Sequence, residues 1–298
     1  MSPTDWLHSG FLFHYENHNI FYRHTRSEKE CVLLLHGFPT SSWDWDKVWN
    51  DLTENYWLLA PDFLGFGFSD KPMPYSYSIF DQADMLEDLI SEVGSVKFHI
   101  LAHDYAVTVA QELVARANEK KEKGKGYFKI KSVCFLNGGL FPGAYKPLLV
   151  QKILAGKFGS IAAKLMNSFM FERSMNKIFG ANTKASKQEL ANFWHLINHN
   201  NGKAAIPALL QYIREREAHH ARWTMALQNT EIPLRLINGP EDPISGIRMV
   251  EKYKELIPNP DLVLLNGIGH YPQVEAPQQV VENYLEFLKQ SSLRMRNE

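Results

Sequence analysis

Three side chains stand out for the chemistry they offer: Asp104, Asp242 and His270, each a few residues beyond a short apolar run. Asp104 sits in Ala102-His103-Asp104-Tyr105-Ala106, with small residues two places before and two after it. A sharp strand-to-helix turn that presents a nucleophile requires that spacing, because the two backbones pass close together there. Ala106 stands where glycine is usual, which adds some strain. Taken alone, Asp104 reads as a helix N-cap; the acid and imidazole downstream tip the reading towards a nucleophile. An ionised carboxylate needs no base to attack an electrophilic carbon, and displacement gives an alkyl-enzyme ester. His270, oriented and stabilised by Asp242, would then activate the water that cleaves this ester. Acyl transfer from a serine is disfavoured, since Ser41 and Ser42 lie on no comparable turn. Glu241 is a neighbouring acid whose side chain is expected to point away.

The elements that must position these groups follow from hydrophobic patterning. Cys31–Leu35 is a continuous apolar run, as expected of a strand buried on both faces, and Trp57–Ala60, Phe98–Ala102, Ser132–Leu136, Leu234–Ile237 and Leu262–Leu265 repeat it. Helical stretches lie between them at Trp43–Thr53, Ile79–Val93, Tyr105–Asn118, Gly246–Leu256 and Pro277–Leu288. The alternation predicts an α/β fold with a mostly parallel central sheet and helices on both faces. Reactive groups then gather at the carboxyl ends of the strands, where Asp104, Asp242 and His270 fall.

The alternation breaks from about Pro142 to Leu227, a stretch rich in Leu, Met, Phe and Ala at helical spacing. Residues 142–227 are therefore expected to form a helical insertion, with 1–141 and 228–298 as the core. Ile161, Leu165, Met166, Phe169, Met170, Phe171 and Ile178 are expected mainly to pack against the core, the remainder lining a pocket. Glu119–Lys129 is a charge run that reads as a solvated helix end, with Gly124 and Gly126 as breakers.

The 298 residues carry 32 Lys and Arg against 33 Asp and Glu, a net charge of −1, with 45% hydrophobic residues. This is globular composition, and it supplies no field for nucleic acid. Cys31 and Cys134 stand far apart in apolar runs and read as reduced, buried thiols, which argues for a reducing compartment. No apolar window reaches membrane-spanning length, and Met1–Gly10 shows no signal peptide, so a cytoplasmic location is expected. No metal or other cofactor is implied, and the oligomeric state is left open.

With these residues in place, the chain resembles the α/β-hydrolase family over nearly its whole length. Within it, the likeness is to the epoxide hydrolase and haloalkane dehalogenase branch, including the mesoderm-specific transcript proteins and their bacterial relatives. The motifs carrying it are His36-Gly37-Phe38-Pro39-Thr40-Ser41-Ser42, Asp62-Phe63-Leu64-Gly65-Phe66-Gly67-Phe68-Ser69-Asp70-Lys71-Pro72, His103-Asp104-Tyr105 and Gly269-His270-Tyr271-Pro272. The resemblance implies a triad of Asp104, His270 and Asp242, a helical cap over the site, and an oxyanion hole from the N–H groups of Phe38 and Tyr105. Asn137, after its strand, is not an acid, which removes the other position some dehalogenases use.

Haloalkane dehalogenases of this kind hold halide with a Trp after the nucleophile and an Asn or second Trp elsewhere. Tyr105 and Phe38 occupy two of those places here, and the Arg expected of fluoroacetate dehalogenases is missing. Epoxide hydrolases use cap tyrosines to protonate the leaving alkoxide, and Tyr212 stands where one is placed, with Tyr145 the nearest candidate for the second. The expected substrate is a small apolar electrophile, foremost an epoxide. Haloalkane cleavage and a non-catalytic binding role on the hydrolase scaffold are the alternatives.

Overall fold

The apolar runs of the sequence become the middle of a sheet because only strands covered on both faces can bury every side chain. The computed structural model describes residues 1–122 and 128–294. Among these, one sheet holds β1 (Phe11–Tyr15), β2 (His18–His24), β3 (Cys31–Leu35), β4 (Trp57–Pro61), β5 (Lys97–Ala102), β6 (Lys129–Phe135), β7 (Leu234–Asn238) and β8 (Leu262–Leu264). Their order is β1-β2-β4-β3-β5-β6-β7-β8. From β4 to β8 all pairings are parallel, whereas β1 with β2 and β2 with β4 are antiparallel. β3 and β5 lie centrally in register, with Leu35 opposite Ala102, so the loops after them open side by side at one end of the sheet.

The edge hairpin β1–β2 and the short helix Pro3–His8 were not anticipated. Phe11 and Leu12 remain exposed and β2 is only partly buried, so this pair lacks the continuous apolar signature of the inner strands. The helices expected between strands form, at Asp46–Thr53, Ile79–Glu92, Tyr105–Glu122, Ile247–Leu256 and Pro277–Arg294. The breakers expected at Gly124 and Gly126 lie outside the described residues. Cys31 and Cys134 are buried thiols without a disulfide.

Between β6 and β7 the chain runs through helices Leu149–Leu154, Gly159–Leu165, Ser168–Met175, Lys187–Asn198, Ile206–Leu209, Tyr212–Ala218 and His220–Gln228. The expectation that its apolar residues mainly pack inwards needs correction. Phe171 and Ile178 are buried, but Ile161, Leu165, Phe169 and Met170 are exposed, as are Leu149 and Phe158. Helices of six to eight residues are too short to bury more than one turn of apolar side chains each, so the opposite side faces out.

The last inserted helix packs on Tyr105–Glu122 through a buried carboxylate. Glu112 accepts from Arg116 Nε (2.9 Å), Arg222 Nε (2.7 Å) and Nη2 (3.0 Å), and Trp223 Nε1 (2.8 Å). These charges and hydrogen bonds outweigh burial and lower the pKa of Glu112. Among the described residues, no helix is long and apolar enough to cross a membrane.

Candidate active site

Asp104 occupies the turn between β5 and the helix Tyr105–Glu122 with φ 47°, a left-handed conformation that costs a non-glycine residue roughly 1 kcal/mol or more. Its N–H donates to the Asn137 carbonyl at 2.8 Å, and Ala106 N–H closes the turn on the His103 carbonyl at 3.0 Å. Gly37 lies against the turn. A Cβ there would come within 2.7 Å of His103 Nδ1 and 2.9 Å of Asp104 Cβ, so only glycine allows the two loops to approach.

The structure brings Asp104, His270 and Asp242 together. His270 Nε2 stands 3.6 Å from Asp104 Oδ1, too long for a direct hydrogen bond, while Nδ1 is 2.7 Å from Asp242 Oδ2. Asp104 is 5% exposed and His270 2%. Phe38 N–H donates to Asp104 Oδ2 at 3.1 Å, and Tyr105 begins the helix that follows. Glu241 is exposed, and its side chain takes no part.

Burial raises the pKa of Asp104, while the positive charges of His270 and Arg216 and the Phe38 N–H pull the other way. Burial alone would also raise Asp242, but His270, Ser245 and the Ile244 N–H hold it at about 2. For His270 burial opposes the charged form; Asp242 and Asp104 outweigh it and lift the imidazole to about 9. His270 thus faces a carboxyl group from each ring nitrogen, one hydrogen-bonded at Nδ1 and one 3.6 Å from Nε2.

Two further histidines brace the loops. His36 is linked through Nδ1 to the Gly37 carbonyl (2.8 Å) and accepts Phe63 N–H at Nε2 (3.1 Å), so Nδ1 carries the proton. His103 Nε2 donates to the His270 carbonyl at 2.7 Å, and burial keeps its ring neutral.

Tyr212 and Tyr145 come to the site from the inserted segment. The Tyr212 ring packs edge-on to Tyr105 at 4.9 Å, and burial followed by the Asp104 charge raises its pKa, keeping it a phenol. Tyr145 joins it across Arg216, whose guanidinium carbon lies 4.9 Å from the Tyr212 ring centroid and 5.1 Å from that of Tyr145. Phe38 and Pro39 also line a cleft with Gly65–Gly67, Lys71, Ile206 and Leu209, where the core meets the insertion.

Three residues that the sequence did not single out for this site are built into it. Asn137, beyond β6, accepts Gly239 N–H (2.7 Å) and donates to Asp242 Oδ2 (3.0 Å), tying the β6 and β7 loops together. Glu275 accepts from Gly269 N–H (2.9 Å) and Tyr271 N–H (2.9 Å) on either side of His270, and from Gly180 N–H (2.8 Å) and Thr183 Oγ1 (2.6 Å) in the insertion. Arg216 is 3% exposed, with Nε donating to Thr108 Oγ1 at 2.9 Å. An aromatic-X3-Arg spacing in a helix, which places both on one face, is the signal that Tyr212 and Arg216 carried.

Replacing Asn137 by Ala leaves Gly239 N–H without its acceptor and removes one of the donors to Asp242 Oδ2, and about tenfold loss of turnover is expected from roughly 1–2 kcal/mol of lost positioning. Comparing kcat with KM checks this: a positioning residue lowers kcat and leaves KM nearly unchanged.

Comparison with known proteins follows the same geometry. A family model described as alpha/beta hydrolase fold matches residues 30–277. The mesoderm-specific transcript homolog protein of Bos taurus is 43% identical over 300 aligned positions, covering 97% of this chain and 89% of its own. A haloalkane dehalogenase from Bradyrhizobium elkani superposes with a TM-score of 0.80 at 22% identity, over 96% of this chain and 99% of that one. The epoxide hydrolase CorEH superposes with a TM-score of 0.73 at 19% identity, over 94% and 98%. At such identities the two structures speak for the fold alone. The chain belongs to the α/β-hydrolase fold family.

Proposed function

We propose that the protein is a hydrolase that opens small epoxides through an ester formed on Asp104. The observation that carries this reading is the carboxylate on the strained turn, with the His270–Asp242 pair beside it and the Phe38 N–H on its Oδ2. An Asp104 oxygen attacks a ring carbon, the ring C–O bond breaks, and the oxygen takes a proton from Tyr212 or Tyr145. Water gives a proton to neutral His270 and attacks the ester carbonyl. The N–H groups of Phe38 and Tyr105 hold the oxyanion, and collapse frees a diol and the carboxylate. The proton on His270 returns to the tyrosinate. In this reading residues 142–227 act as a cap on a core of 1–141 and 228–298.

Haloalkane cleavage by the same carboxylate is the second reading, since the buried Asp104 can displace a halide from carbon as it opens a ring. Phe38 and Tyr105 supply no halide-binding indole or amide in the expected places, so epoxides come first. Incubation with styrene oxide, 1-bromobutane and p-nitrophenyl butyrate tests the choice. Diol release that disappears in Asp104→Ala is expected. Bromide release alone moves the reading to haloalkanes. Ester cleavage that survives in Asp104→Ala overturns it.

The pH dependence has a definite sign. His270 must be neutral to accept a proton, and its free-state pKa is about 9. Esterification removes the Asp104 charge, one of the causes of that elevation, so the rate of ester hydrolysis is expected to rise with pH to a midpoint below about 9. Asp242→Asn removes the larger cause and moves the midpoint lower still. Single-turnover rates across pH check both; a midpoint unmoved by Asp242→Asn contradicts the assignment.

A further inference from the structure

Arg216 is the group in the site that the proposed reaction leaves unused. Its guanidinium is buried between the rings of Tyr145 and Tyr212, and its Nε is held by Thr108. Among the described residues no carboxylate lies within ion-pairing distance of it, and Nη2 is sealed from solvent without a hydrogen-bond partner. The Tyr145 hydroxyl is buried too and faces the guanidinium: burial raises its pKa, and Arg216 draws it back. Space for the guanidinium is built in: a Cβ on Gly139 would lie 1.9 Å from Nη1. A buried guanidinium with an idle N–H donor costs free energy that an acceptor would recover.

The charges narrow what that acceptor is. In the free site His270 and Arg216 both act on Asp104 and favour its ionised form. Once Asp104 is esterified it is neutral, and its attraction to Arg216 is lost. A substrate that carries its own anion restores the balance at the stage where it is lost.

We propose that Arg216 Nη2 and the Tyr145 hydroxyl form a carboxylate-binding subsite, leaving Tyr212 to protonate the alkoxide, so that the preferred substrate is an epoxide bearing a carboxylate. This rests on the reading of Asp104 as nucleophile for the choice of epoxide, while the anion site stands on Arg216 itself. A planar guanidinium and a phenol together suit the two oxygens of a carboxylate.

Two paired measurements test it. Calorimetry with the unreactive pair phenylacetate and phenylacetamide is expected to show at least tenfold tighter binding of the acid. Turnover of 3-phenylglycidate is expected to exceed that of 3-phenylglycidamide at least tenfold in kcat/KM, a preference that Arg216→Gln erases and Arg216→Lys partly retains. Equal binding of acid and amide, or no binding of either, overturns the subsite even if Arg216→Gln fails to fold. Equal loss on both glycidates in Arg216→Gln overturns it too, because Arg216 then acts through Asp104. Selective binding of phenylacetate without turnover of any epoxide upholds the subsite and defeats the ester reading. Asp104-dependent hydrolysis with no preference for the acid does the reverse.

Discussion

His270→Gln is expected to stop the protein after its first chemical step. Asp104 needs no base to attack, so the ester forms; the water that should cleave it loses its base, a loss worth about 10³-fold in steady turnover. Mass spectrometry should therefore find one substrate equivalent on the peptide containing Asp104. The position of Nε2, 3.6 Å from Asp104 Oδ1, is what makes this residue the candidate base. A single turnover of the unaltered protein in ¹⁸O-water gives an independent check. Attack at the ester carbonyl leaves ¹⁸O in the Asp104 carboxylate and ¹⁶O in the product. Heavy oxygen in the first diol released would mean that water attacks the substrate directly, and the covalent scheme would fall.

The largest effect on stability is expected from Glu112→Ala. One buried carboxylate takes four hydrogen bonds from Arg116, Arg222 and Trp223; its removal unpairs the indole N–H and leaves Arg116 only Asp84 and Glu87, and Arg222 only Glu119, as carboxylate partners. Deleting one member of such a network costs on the order of 3 kcal/mol, even allowing for the partial exposure of Arg222. For a chain of this size that corresponds to a fall in Tm of roughly 6–12 °C. Calorimetric unfolding checks it, and a shift under about 2 °C would show that water replaces the carboxylate at little cost.

The inner strands were legible because a strand covered on both faces must be apolar throughout, and Cys31–Leu35 has the bounds read from its run. The turn at Asp104 was legible for a similar local reason: close backbones demand small side chains two positions away. The hairpin of β1 and β2 escaped because its exposed face tolerates His14 and His18, and because Arg23, buried against Trp6 and Trp49, interrupts the apolar run. Arg216 escaped for a different reason. A charged residue in an amphipathic helix reads as solvent-facing, and only the approach of Thr108, Tyr145 and Tyr212 turns it inwards. Asn137 was noticed only as a missing acid, since its two partners lie about a hundred positions away along the chain. The apolar residues of the insertion were misjudged because composition reports how much greasy surface exists, not how many short helices must share one core.

The seam around His270 sets a rule for re-engineering the protein. His270 N–H bonds to the Ile178 carbonyl at 2.8 Å, and Glu275 links the flanking amides to Gly180 and Thr183. Excising the inserted helices wholesale would thus unmoor the imidazole. Trimming of the insertion is better confined to residues 149–165, whose exposed apolar side chains share none of these bonds, leaving the 178–183 anchor whole.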